Sequence, residues 1–217
     1  MDALADNEKM FSKEIVLERY ESETLAEREA LLERIRTDKE KAFDGLFEQY
    51  HSMVFHLAFR ILGDREEALD VSQEVFFTIY RKMHRFRGES SLKTWIFRIA
   101  INRASNRCRW WKRLRRRGTV SLDEHLGRNR TPDLSEILEA EGNSPEAALL
   151  LQEKRSEIER WLLRLPIHQR IAVVMRDIEG MSYEEIAEAM QVSLGTVKSR
   201  IARGREELKR RLNGELG

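Results

Sequence analysis

The chain has 217 residues, 41% hydrophobic and 35% charged, with 11 Gly, 3 Pro, one Cys and a net charge of +1. That length and composition support one domain or two small ones and favour helix over sheet; the single Cys108 excludes an internal disulfide and a thiolate metal cluster. No apolar run is long enough to cross a bilayer, and the acidic start MDALADNEKMF lacks a secretory segment, so a soluble cytoplasmic protein without membrane insertion is expected. The near-neutral total hides segregation. Residues 1–40 and 121–160 are acidic on balance, while 101–117 and 194–211 are basic, which suggests two separate anionic partner sites.

Residues 1–29 read as a charged, loosely amphipathic N-terminal arm. A dependable pattern then begins: Phe43, Leu46, Phe47, Tyr50, Val54, Leu57, Ala58 and Ile61 step by three and four, a strong amphipathic helix that Gly63 stops. Asp64 with Glu67 offers a capping box for the next helix, predicted to run to about His84. Its apolar stripe is Ala68, Val71, Val75, Ile79 and Met83; its polar side carries Asp70, Gln73 and Glu74. A polar turn, Arg87 to Ser91, opens a third helix in which Leu92, Trp95, Ile96 and Ile99 face a core. Beyond Asn102 that helix turns basic, with Arg103, Arg107, Arg109, Lys112, Arg113 and Arg115 to Arg117 around Trp110 and Trp111. Cations beside aromatic rings suit single-stranded nucleic acid; the same residues also fit a solvated basic helix whose tryptophans complete a core.

Residues 118–143 are rich in turn-formers and acids and read as a flexible linker. Ser144-Pro145 restarts helix, with Leu149, Leu150, Ile158, Trp161, Leu162 and Leu165 on its buried side. Pro166 breaks that helix, and the next runs to about Asp177. The stretch SYEEIAEAMQVSLGTVKSRIARGREELKRRL carries the sharpest signal. Ser182 and Glu185 form a capping box; Ile186, Ala187 and Met190 point inward, with small Ala187 permitting close helix crossing. After the turn Gln191-Val192-Ser193, a longer helix holds Val197, Ile201, Leu208 and Leu212 inward. This is helix-turn-helix spacing, whose second helix enters the major groove. Thr196, Lys198, Ser199, Arg200 and Arg203 face outward, and such side chains can donate to guanine edges or phosphates.

The fold expected is therefore all-α: two small helical domains, 30–117 and 144–217, joined by the linker, the second a helix-turn-helix domain. Four segments, DREEALDVSQEVFFTIY, FRGESSLKTWIFRIAINRASN, LPIHQRIAVVMRDIEGMSYEEIA and VSLGTVKSRIARGREEL, occur in the order found in sigma factors of bacterial RNA polymerase. Across residues 30–212 the chain resembles the extracytoplasmic-function branch of that family. The resemblance implies that the first domain corresponds to sigma region 2 and the second to region 4. It implies that Asp70, Gln73 and Glu74 dock on the clamp helices of the polymerase core, whose flap is a further contact. Phe86, Ser90, Leu92, Lys93, Asn102, Arg103, Asn106 and Arg109 would take the minus-ten element of promoter DNA, with a base flipped into the turn. Trp95, on the apolar stripe, is assigned to the core; Leu92 stands where many relatives carry an aromatic residue. Thr196, Lys198, Ser199, Arg200 and Arg203 would read the minus-thirty-five element as duplex. An anti-sigma factor is expected by resemblance alone.

The alternative is a conventional helix-turn-helix regulator with a sensing first domain, which would bind duplex by itself. The cluster of Asp70, Gln73 and Glu74 favours the sigma reading. An enzyme is not expected: His51, His56, His84, His125 and His168 show no HExxH or paired metal spacing, and P-loop and GxSxG patterns are absent. No catalytic residue, cofactor or metal ligand is assigned, and Cys108 reads as a small helix residue.

Overall fold

The computed structural model describes residues 25–116 and 156–214. Most of the arm, the linker, the Ser144-Pro145 start and Leu149 and Leu150 lie outside the described residues. Helix α1, Leu25–Thr37, begins inside the stretch assigned to the arm. Its Arg28 reaches the turn after the second long helix, donating to the Gly88 carbonyl at 2.8 Å.

Helix α2, Lys39–Leu62, starts where the Asp38 side chain accepts from the Lys41 N–H at 3.1 Å. It ends at Gly63, whose φ of 75° is the left-handed cap that glycine adopts cheaply. Helix α3, Arg65–Lys82, is capped by Asp64, which accepts from the Glu67 N–H at 2.9 Å. Only half of the expected box forms, because the Glu67 carboxylate is held by Arg107. A 3-10 turn, Met83–Arg85, follows. Helix α4, Leu92–Arg116, starts at Ser91, whose hydroxyl accepts from the Thr94 N–H at 3.1 Å. The inward stripes of α2, α3 and α4 meet: Val54, Leu57, Ile61, Val71, Val75, Ile79, Met83, Ile96 and Phe97 are all fully buried.

The second unit begins with helix α5, described over 156–164, before Pro166. Helix α6, Ile167–Val173, runs without a break into a π turn, Val174–Ile178, marked by the Glu179 N–H bonding the Val174 carbonyl at 3.0 Å. Gly180, with φ of 69°, releases the chain toward α7, Tyr183–Met190, and α8, Leu194–Leu212. Among the described residues there is no strand, and no helix is long and apolar enough to cross a membrane.

The two units pack against each other. Arg60 of α2 pairs with Glu179 at 3.0 Å, and Lys93 of α4 donates to the Glu179 carbonyl at 2.8 Å. Arg170 is buried and donates to the carbonyls of Ile61, Leu163 and Leu165, so one guanidinium serves the ends of α2 and α5 together. Leu163 sits so close to Gly63 that a Cβ there would lie 2.5 Å from its methyl group.

Candidate promoter and polymerase interfaces

On α3 the acids expected to meet the polymerase are also bound from within. Arg107 of α4 contacts Glu67 closely, Glu74 at 2.8 Å and Asp70 at 3.9 Å. Burial works to lower the Arg107 pKa, but Glu67 and Glu74 outweigh it and raise the value overall. Arg103 donates to Glu74 at 3.3 Å and to the Thr78 hydroxyl at 2.9 Å, so this residue, assigned to the minus-ten element, faces α3. Asp70 and Gln73 remain exposed, and Glu74 is half-buried. Beside them stand two residues that sequence reasoning missed. Leu69 is 39% exposed and Phe77 64%, and with Gln73 they recur every fourth residue along one helical face. A large aromatic held in water next to a charged patch marks a contact surface. The signal was present in VFFTIY, where Phe77 falls off the apolar stripe while Phe76 lies on the buried side.

The turn before α4 forms an open cleft of about 500 Å³ lined by His84, Phe86, Arg87, Ser90, Trp95 and Arg98, among others. Phe86 and Trp95 set its aromatic wall, ring centroids 5.4 Å apart. Phe86 and Ser90 are thus brought together as expected, though both are largely buried. Trp95, assigned to the core, packs on it with one side and lines the cleft with the other. Leu92 is only 3% exposed: it falls on the stripe that faces α2 and α3 and serves the core. Lys93 is turned to Glu179. Burial lowers its pKa, and the charges of Glu179 and Glu185 work the other way. Asn102, Asn106 and Arg109 follow on one exposed stripe of α4, with Arg109 donating to the Asn106 side chain. Trp110 is exposed and meets Trp111 edge-on at 4.7 Å, while Cys108 is half-buried.

The second site is a capped helix pair. The Ser182 hydroxyl accepts from the Glu185 N–H at 3.1 Å, and the Glu185 carboxylate accepts from the Ser182 N–H at 2.8 Å, completing the box. Gln191 takes the left-handed conformation, φ 55°, so that the Val192 N–H can reach the Ala187 carbonyl at 3.0 Å. Ser193 then caps α8 by accepting from the Thr196 N–H at 3.3 Å. Val197, Ile201 and Gly204 face inward. Close crossing depends on Gly204 rather than on Ala187, which is only half-buried: a Cβ at 204 would sit 2.6 Å from the Val173 methyl. Arg205 grips the Asp177 carboxylate with two nitrogens, one at 3.0 Å, and fixes the turn of α8. Lys198, Ser199 and Arg203 are exposed as expected; Thr196 and Arg200 are half-buried, the Thr196 hydroxyl lying 2.8 Å from that of Ser193.

Residues 46–117 match the Sigma-70 region 2 model, and residues 155–208 match Sigma-70, region 4. The chain is 37% identical over 187 residues to the RNA polymerase sigma-H factor of Pseudomonas aeruginosa, covering 84% of this chain and 92% of the relative. It is 36% identical over 180 residues to the ECF RNA polymerase sigma-E factor of Escherichia coli K12, covering 83% and 91%. The fold also matches the sigma factor RpoE of Bartonella quintana, crystallised with the anti-sigma factor NepR, with a TM-score of 0.55 at 24% identity over 80% of this chain and 98% of that one. Regions 2 and 4 in this order, without strands among the described residues, define the class of sigma-70-type initiation factors. The chain belongs to its extracytoplasmic-function (ECF) branch, the ECF sigma factors of bacterial RNA polymerase. Such factors initiate transcription with the polymerase and are not themselves enzymes.

Proposed function

We propose that this sigma factor opens the minus-ten element by drawing one unstacked base into the cleft between Phe86 and Trp95. Extruding a base costs a few kcal/mol, and stacking on an aromatic ring returns about 1–3 kcal/mol, so the ring pair is suited to hold it. Ser90 offers a hydroxyl to the base edge, and Asn102, Asn106 and Arg109 lead the strand along α4. The exposed face of α8 from Thr196 to Arg203 reads the minus-thirty-five duplex, with Lys198 and Arg203 at phosphates or guanine edges. The α3 face carries the polymerase contact, Asp70, Gln73 and Glu74 supplying charge and Leu69 and Phe77 the apolar anchor. An anti-sigma factor, as in the Bartonella complex, is the expected restraint, and the cytoplasm the expected site of action.

The observation that carries this reading is the exposed Lys198, Ser199 and Arg203 on a capped helix, on the same chain as an aromatic cleft beside a basic helix. The test is transcription from a promoter-fragment library by core polymerase, with and without the protein. Initiation that requires both, and that Phe77→Ala weakens through polymerase affinity, is expected. Specific duplex binding by the protein alone, with no initiation from core, would replace the reading with a conventional regulator.

A further inference from the structure

The cations of the single-strand site are not turned to solvent in this conformation. Lys93 donates to the Glu179 carbonyl at 2.8 Å, and Arg98, which lines the cleft, lies 3.7 Å from the Glu188 carboxylate on α7. Glu179 itself is buried and bound by Arg60 at 3.0 Å. Helix α7 lies along α4 and presents acids to it from the opposite unit, in the place a phosphate backbone would occupy. We propose that α7 and the turn at Glu179 act as an internal stand-in for the promoter strand, holding the two units closed and covering Lys93 and Arg98 until polymerase draws the units apart. This rests on the minus-ten reading above.

Two features set the balance. Closure gains the Arg60–Glu179 pair, the Arg170 bridge to the Ile61 carbonyl and the Leu163–Gly63 packing. Against it, Arg109 and Lys112 of α4 and Arg200 of α8 gather around His168 and repel each other. A closed state opposed by like charges can be opened by a partner with modest differential affinity.

The test uses the full chain without polymerase, by small-angle X-ray scattering and by fluorescence anisotropy with a labelled dT 12-mer. Arg60→Ser alters the first unit, and Glu179→Gln with Glu188→Lys alters the second. The expected result is an expanded radius of gyration in both variants and roughly tenfold tighter oligonucleotide binding, matching an open fraction near one-tenth in the parent. Circular dichroism identifies a variant that has unfolded, and the other then decides the matter. A parent chain already as expanded as its variants would overturn closure. Expansion without tighter binding would overturn masking. Scattering needs no polymerase, so failure of the initiation assay leaves this result to stand or fall alone.

Discussion

The two DNA-facing helices, α4 and α8, are both basic, yet they hold their charge in opposite ways. On α4, Arg103 and Arg107 are committed to Glu74 and Glu67, and Lys93 to the second unit. On α8, Lys198 and Arg203 stand in solvent while the helix is held from behind by Gly204 packing and the Arg205–Asp177 grip. One helix therefore has cations that are structural first, and the other has a stiff mount with an open face. A basic residue's place in the chain does not say which kind it is; its partners do.

That contrast can be broken most severely at the mount. Gly204→Val forces a branched side chain against buried Val173 and should cost the upper end of about 1–3 kcal/mol, read as a lower melting temperature with loss of duplex contact. Arg107→Met should cost about 2 kcal/mol, since the Glu67 and Glu74 carboxylates lose their shared partner. Denaturant titration would measure it, and a neutral result would mean that α4's cations are not structural. Ser182→Ala removes one side of the capping box and should cost about 1 kcal/mol. Lys198→Ala should leave stability within about 0.5 kcal/mol, yet lower the salt slope of promoter binding by the polymerase holoenzyme by about one. A change in melting temperature with no change in slope would place Lys198 on the wrong side of the comparison.

The smallest effect concerns His168. Burial, then Arg200, Arg109 and Lys112, hold its pKa below the ordinary histidine value. The unfolded chain therefore takes up the proton first. The stability this group contributes is present above about pH 6.5 and is lost as pH falls through the window below it. Melting curves at stepped pH should show a shallower acid loss in His168→Gln than in the parent; His56 and Glu179 are common to both chains and cancel in the difference.

Much of the fold was legible because its signals are local. Gly63, Asp64, Ser182 and the Gln191–Ser193 turn act on neighbours within a few residues, and the stripe from Ala68 to Met83 needs only its own periodicity. The reading failed where partners are distant. Nothing near Lys93 or Arg107 in sequence reveals Glu179 or Glu67, and Gly204 looks like an ordinary weak helix residue until Val173 is packed against it. Leu92 and Trp95 show a subtler difficulty. A helical stripe gives a direction but not a depth, so Leu92 sinks into the core while Trp95, on the same stripe, keeps one edge in the cleft.

The π turn at Val174–Ile178 has a consequence for how this architecture can change. It is arithmetically one surplus residue carried inside a helix. Removing one there would let the helix close in ordinary register with its backbone bonds intact, but everything downstream would rotate by about 100°. Glu179, the next residue, would swing away from Arg60. The bearing of one unit on the other is thus fixed by a residue count, and a one-residue deletion should re-aim it where substitutions only loosen it, a difference visible in solution scattering.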